Sequence, residues 1–301
     1  MSSEKLGYTA AFYVSGRLVL GSLWQTLKDA FLHFLKLKSP KPHIQWQTEW
    51  QAFLHDHVEF YRQLSEEDRQ RFEQRALLFM HTTEVFNGDE PASFEDRLLV
   101  AASAIIPVWS FPQWHYFNLK TVYLLPAAFN DDFQCGQKDS LYTGMVGTGP
   151  MAGKMALSRP ALYQGFRNPN DKRNVGIHEF VHLIDMADGD MDGFPERLQP
   201  YRFAIPWFEL AEKKMKAIEK GRSNIDPYGA SNKLEFFCVA SEYFFERPQM
   251  LAKKHPKLYE ALEEIYQQDR AAIVADIKKR EKELCPCGSG KPYRECCLPR
   301  D

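Results

Sequence analysis

Three things are scarce in this chain: net charge, cysteines outside one short stretch, and long apolar runs free of charge. The 301 residues carry 38 Lys and Arg against 40 Asp and Glu, a formal net charge of -2, so no overall field draws the molecule to nucleic acid or to an anionic membrane. Direct nucleic-acid binding is therefore not expected. Of the six cysteines, Cys135 and Cys238 stand alone and the other four crowd into the last stretch. No disulfide framework and no cleavable secretory signal can be read, which suits a reducing, cytoplasmic setting. The apolar stretch from Tyr8 to Trp24 is broken by Arg17 and is short for a bilayer span. Membrane association through residues 8–24 is the lesser alternative. Packing on the protein itself is expected, continued by the amphipathic pattern of Leu23, Leu27, Phe31 and Phe34 and stopped by Pro40 and Pro42.

What is present is enough to fill a core: 44% hydrophobic and 14% aromatic residues against 26% charged. Residues 1–45 are read as an N-terminal helix and linker, 46–255 as the main domain, 256–283 as a helical spacer and 284–301 as a small cysteine module. Helical periodicity covers Thr48 to Leu64. Ser65 with Glu66, Glu67 and Asp68 starts a second helix running to Phe86, and Ser93 with Asp96 caps a third from Phe94 to Trp109. The period then changes. Thr121 to Pro126 reads as a strand, and the glycine-rich stretch 141–158 as a hairpin or meander whose glycines serve turns or close backbone approach. Its last strand, Met155 to Ser158, is a candidate edge for pairing with an extended peptide. Further helices are expected from Ile205 to Lys220, from Ser231 or Asn232 to just before Pro248, and from Pro256 to Glu283.

The stretch Gly176-Ile177-His178-Glu179-Phe180-Val181-His182-Leu183-Ile184-Asp185 organises the rest. On a helix His178 and His182 share a face and can reach one zinc ion, while Glu179 addresses a water activated by that metal. The flanking Ile177, Phe180, Val181 and Ile184 predict a mostly buried helix, and a buried His pair needs a partner. Asp185 is placed to orient a ligating His from outside the metal. The loop after it, Asp188 to Gly193, opens like a calcium loop, but Gln199 stands where a bidentate Glu is required. Two carboxylates, Glu235 and Glu242, lie seven apart within an apolar helix. They share a face, and zinc would satisfy one of them.

The terminal run Cys285-Pro286-Cys287-Gly288-Ser289-Gly290-Lys291-Pro292-Tyr293-Arg294-Glu295-Cys296-Cys297 offers four thiolates to a closed, structural zinc site that must fold a patch too small for a core. It resembles the SEC-C motif, a zinc module found at the C-terminus of the SecA translocation ATPase and on other bacterial proteins, which implies protein binding.

A second resemblance covers about residues 46 to 250. The HEFVHLID run at 178–185, then Asp226-Pro227-Tyr228-Gly229-Ala230 leading to Glu235-Phe236-Phe237, is similar to the Mlc titration factor A family of bacterial zinc peptidases, themselves related to the catalytic domain of anthrax lethal factor. The resemblance implies that Glu235 is the third zinc ligand, that Tyr228 is catalytic and that Glu242 supports a ligand from outside the metal. It also implies an α+β, mostly helical zincin-like domain with a small sheet, aminopeptidase-like activity and a regulatory-protein partner such as a repressor.

Together these readings lead to a zinc metallopeptidase with one catalytic and one structural Zn2+ acting on a peptide or protein substrate. The alternative is a protein of the same fold that sequesters a transcriptional regulator with little turnover.

Overall fold

The computed structural model describes residues 45–297, so the expectations placed on residues 1–44 fall outside them. The chain enters through α1 (Thr48–His57) and the short α2 (Glu59–Arg62), separated at Val58, whose extended backbone ends one helix and begins the next. α3 (Glu66–Thr82) starts where Ser65 accepts a hydrogen bond from Asp68 N, and α4 (Phe94–Ile105) where Ser93 does the same for Asp96 N. Both starts follow from a Ser side chain satisfying an otherwise unpaired helical N–H.

α3 ends four residues short of the expected Phe86. The β-branched pair Thr82-Thr83 turns the chain, and Glu84–Asn87 becomes strand β1, with Glu90–Pro91 folding back on it as β2. β1 pairs in parallel with β3 (Leu119–Leu125), and β3 in parallel with β5 (Gly153–Ser158), while β4 (Gly144–Val146) runs antiparallel to β5. The sheet order is β2-β1-β3-β5-β4. The hairpin expectation for 141–158 is met by β4 and β5. The edge expectation is not, because β5 lies between β3 and β4 and Met155 to Ser158 are all buried. The edge belongs to β4.

After β5 come α5 (Arg159–Arg167), α6 (Val175–Asp185), α7 (Ala204–Glu219) and α8 (Lys233–Glu246). Ser158 caps α5 and Asn174 caps α6. Every residue of α6 from Gly176 to Asp185 is buried; the helix packs on α4, α5, α8 and β4. Gly176 permits that packing, since a Cβ there would overlap the Ser103 side chain of α4. α8 is buried from Phe236 to Phe245, and Phe236, Phe237 and Phe244, each at 0% exposure, contribute roughly 1.5–3 kcal/mol apiece by burial.

The single long helix expected from Pro256 is instead α10 (Pro256–Tyr266) and α11 (Arg270–Arg280), with α9 (Pro248–Lys254) before them. Gln267, in the left-handed region at φ 52, ends α10, and Asp269 caps α11. Leu258, Leu262 and Ile265 of α10 are buried, so this helix is part of the packed body.

Candidate metal centre

The centre is built where α6 and α8 face one another. Asn174 Oδ1 accepts from Ile177 N at 3.1 Å, and Asn232 Oδ1 accepts from Glu235 N at 2.9 Å, fixing the first turn of each helix. From α6 come His178, Glu179 and His182, all buried. From α8 come Glu235, Cys238 and Glu242, three and seven residues apart and therefore on one face.

Glu235 Oε2 lies 3.1 Å from His178 Nε2 and 3.6 Å from His182 Nε2. Bonds of about 2.0–2.1 Å at tetrahedral angles imply ligand–ligand edges of roughly 3.3–3.4 Å, and these two separations lie close to that edge. Away from that point, His178 Nδ1 donates to Glu242 Oε1 at 2.7 Å, and Glu242 Oε2 accepts from Asn174 N at 2.5 Å. This is the outer carboxylate that typically orients a ligating imidazole. The ligand atoms of His178, His182 and Cys238 also lie within 4.8 Å of one another. Cys238 Sγ is 3.2 Å from His182 Nδ1, while both Nε2 atoms face Glu235 Oε2.

Burial disfavours the His178 cation, yet the Glu242 and Glu235 carboxylates outweigh it and hold its pKa well above the ordinary value. Burial and the His178 charge push His182 down to about 4. Glu179 is raised to about 7, first by burial and then by the Glu235 and Glu242 carboxylates against the opposing pull of His178. Three carboxylates gathered on two imidazoles call for positive charge, which a divalent cation supplies.

Two residues act from outside the helix pair. Asp226 Oδ1 accepts from Tyr228 N at 3.0 Å while Oδ2 takes Arg173 Nε and an Arg173 terminal nitrogen at 2.8 and 2.6 Å. This turn sets the Tyr228 ring 6.0 Å from the His178 ring, between their centroids. Tyr228 is half exposed, and partial desolvation followed by the Glu235 and Glu179 carboxylates pushes its phenol up to about 12. Gly144 of β4 touches Glu179 so closely that a Cβ would sit 2.6 Å from its Cγ. The close backbone approach expected of the glycine-rich stretch is found here, against the Glu of the motif.

Asp185 does not take the orienting role expected of it. Its Oδ2 accepts from Gly193 N at 3.2 Å, Oδ1 is buried without a partner, and burial raises it to about 8. His182 meets Cys238 instead. The neighbouring acidic loop also spends its carboxylates on its own backbone: Asp188 accepts from Asp190 N and Glu196 N, and Asp192 from Phe194 N.

In the tail, the sulfurs of Cys285, Cys287, Cys296 and Cys297 lie within 4.8 Å of one another. Gly288 and Gly290, at φ 78 and 72, allow the tight turn between them. Contacts with Cys285 and then Cys287 push the Cys297 thiol up to about 12, because neighbouring thiols resist ionising together without a cation. The donor set fits a tetrahedral zinc site.

Residues 36–267 match the family described as glucose-regulated metallo-peptidase M90, and residues 282–299 match the SEC-C motif. The chain belongs to the M90 metallopeptidase family. It is 32% identical over 229 residues to an uncharacterized protein of Synechocystis sp., covering 72% of this chain and 82% of that one. It is also similar to proteins named Mlc titration factor A, at 29% identity over 184 residues with that of Serratia proteamaculans and 33% over 107 residues with that of Pectobacterium atrosepticum. These alignments cover 56% and 33% of this chain and 67% and 40% of the relatives. The protein is thus an α+β member of the M90 family, mostly helical, with a small sheet and a C-terminal SEC-C motif. Among the described residues, no helix is long and apolar enough to cross a membrane.

Proposed function

We propose that this M90 protein is a zinc-dependent peptidase in which His178, His182 and Glu235 hold the catalytic zinc, Glu179 is the general base and the four tail cysteines hold a structural zinc. The observation that carries the reading is the convergence of both imidazole Nε2 atoms on Glu235 Oε2, with Glu179 buried beside them. A bound zinc supplies Lewis acidity, which polarises a scissile carbonyl and makes a water nucleophilic near neutral pH. Glu179 takes the proton of the attacking water and passes it to the leaving amine. Tyr228 donates its hydroxyl hydrogen to the oxyanion that develops. The free edge of β4 runs past Glu179 and offers main-chain groups to an extended peptide.

Aminopeptidase-like cleavage in the cytoplasm is the finer form of this proposal, and the six free thiols suit that compartment. A second reading, capture of a regulatory protein, is supported by the relatives named for titrating Mlc and by the SEC-C tail. The zinc-to-protein ratio decides whether the helix site binds metal at all. Full-length protein is expected to carry two zinc ions, and a His178→Ala/His182→Ala variant one. Equal ratios in the two proteins would leave the helix motif without metal and favour the binding role.

A further inference from the structure

We infer that Cys238 is a positioning residue for the metal, its sulfur accepting the His182 Nδ1–H and so holding the Nε2 lone pair toward zinc. The inference rests on the zinc reading of the site. His182 Nδ1 and Cys238 Sγ are 3.2 Å apart, the thiol is 0% exposed and the imidazole 7% exposed. Among the described residues that Nδ1 makes no other hydrogen bond.

The reason lies in the tautomers of imidazole. A neutral ring carries one N–H and one lone pair, and the group facing the non-ligating nitrogen decides which is which. If Nδ1 carries the hydrogen, Nε2 is free to bind metal. If Nδ1 instead accepts from a donor, Nε2 is protonated and blocked. A sulfur that accepts selects the first state.

The arrangement on α8 is symmetrical in purpose and unequal in chemistry. Counting from Glu235, which faces both Nε2 atoms, Cys238 lies one turn on and serves His182, and Glu242 lies two turns on and serves His178. One ligand thus leans on a carboxylate and the other on a thiol, a much weaker acceptor. His182 is the less firmly held of the pair and the more dependent on a single neighbour. With no exposed surface at Cys238, a shorter side chain leaves Nδ1–H facing apolar packing with no ready route for water.

The test is zinc affinity of the full-length protein by competition with a chromogenic chelator, the tail contribution being taken from the His178→Ala/His182→Ala variant. Cys238→Ala is expected to weaken the helix site roughly 10- to 100-fold, and Cys238→Ser, which restores an acceptor of similar size, to recover most of that loss. A merely structural role predicts the reverse order, because a buried serine packs no better than alanine and brings a polar group besides. Parent and double-His variant binding the same number of ions would overturn the zinc reading itself. A parent with one extra ion, held equally tightly in Cys238→Ala, would overturn only the assignment of Cys238. With cobalt in place of zinc, a sulfur charge-transfer band in the difference between parent and double-His variant would put Cys238 on the metal and overturn the positioning role too.

Discussion

At the scale of single residues, the proposed metal ligands and base differ in how far the sequence alone marks them. His178, Glu179 and His182 are legible because four-residue spacing fixes a shared helical face. Glu235 and Glu242 were visible only as two carboxylates in an apolar helix, and the resemblance was needed to rank them. Cys238 left no signal, since a lone cysteine among Phe, Val and Ala looks like core. Asp185 faces the loop rather than an imidazole, because the neighbours of such a carboxylate depend on how the loop folds back, and Gly193 N donates to it. Glu179→Gln is expected to keep both zinc ions while turnover falls roughly 10²- to 10⁴-fold, read by metal content and initial rates on one preparation. A different residue contributes to the acid dependence of stability. His255 accepts from Lys214 Nζ at 3.1 Å through Nδ1 and donates to Asn224 Oδ1 at 2.7 Å, and burial followed by nearby lysines lowers its pKa to about 4. The unfolded chain takes up this proton below the ordinary value of 6.5 and the native state does not, so His255 makes stability fall as pH drops from 6.5 toward 4. Chemical denaturation across that range should show a shallower decline in His255→Gln than in the parent.

At the scale of elements, helix starts are written locally in the sequence and the sheet is not. Caps at Ser65, Ser93 and Asn232 are local signals, and all three start helices where they stand. β1 continues the helical pattern of α3 in sequence, because its four residues are justified only by parallel pairing with β3, more than thirty residues later, and such pairing has no local signature. For the same reason Met155 to Ser158 read as an edge in sequence, while β4 covers β5 in the sheet. β4 now explains Gly144. A side chain at that position must displace the Glu179 carboxylate or the strand, so Gly144→Ala is expected to lower kcat at least about tenfold with the helix-site zinc retained. An unchanged kcat would mean that Glu179 has another route to the same position. On α6, Asn174→Ala removes the cap on Ile177 N and should cost about 1 kcal/mol of unfolding free energy, measurable by urea titration.

At the scale of the whole molecule, the two proposed metal sites differ in their surroundings. The tail has one buried cysteine and little else inside it, so its order is expected to depend on a bound metal. The main body has an extensive core around α6 and α8. Stripping zinc with a strong chelator should therefore expose residues 285–297 to protease first, while the body still unfolds cooperatively on heating. Simultaneous loss of both would show that the body also needs metal to fold. The central claim is that Glu179 and the zinc held beside it cleave peptide bonds. The most direct measurement is mass-spectrometric detection of new peptide termini when zinc-loaded parent and zinc-loaded Glu179→Gln are each incubated with casein. New termini made by the parent and nearly absent with Glu179→Gln are the predicted result; termini appearing equally with both proteins, or with neither, would contradict it.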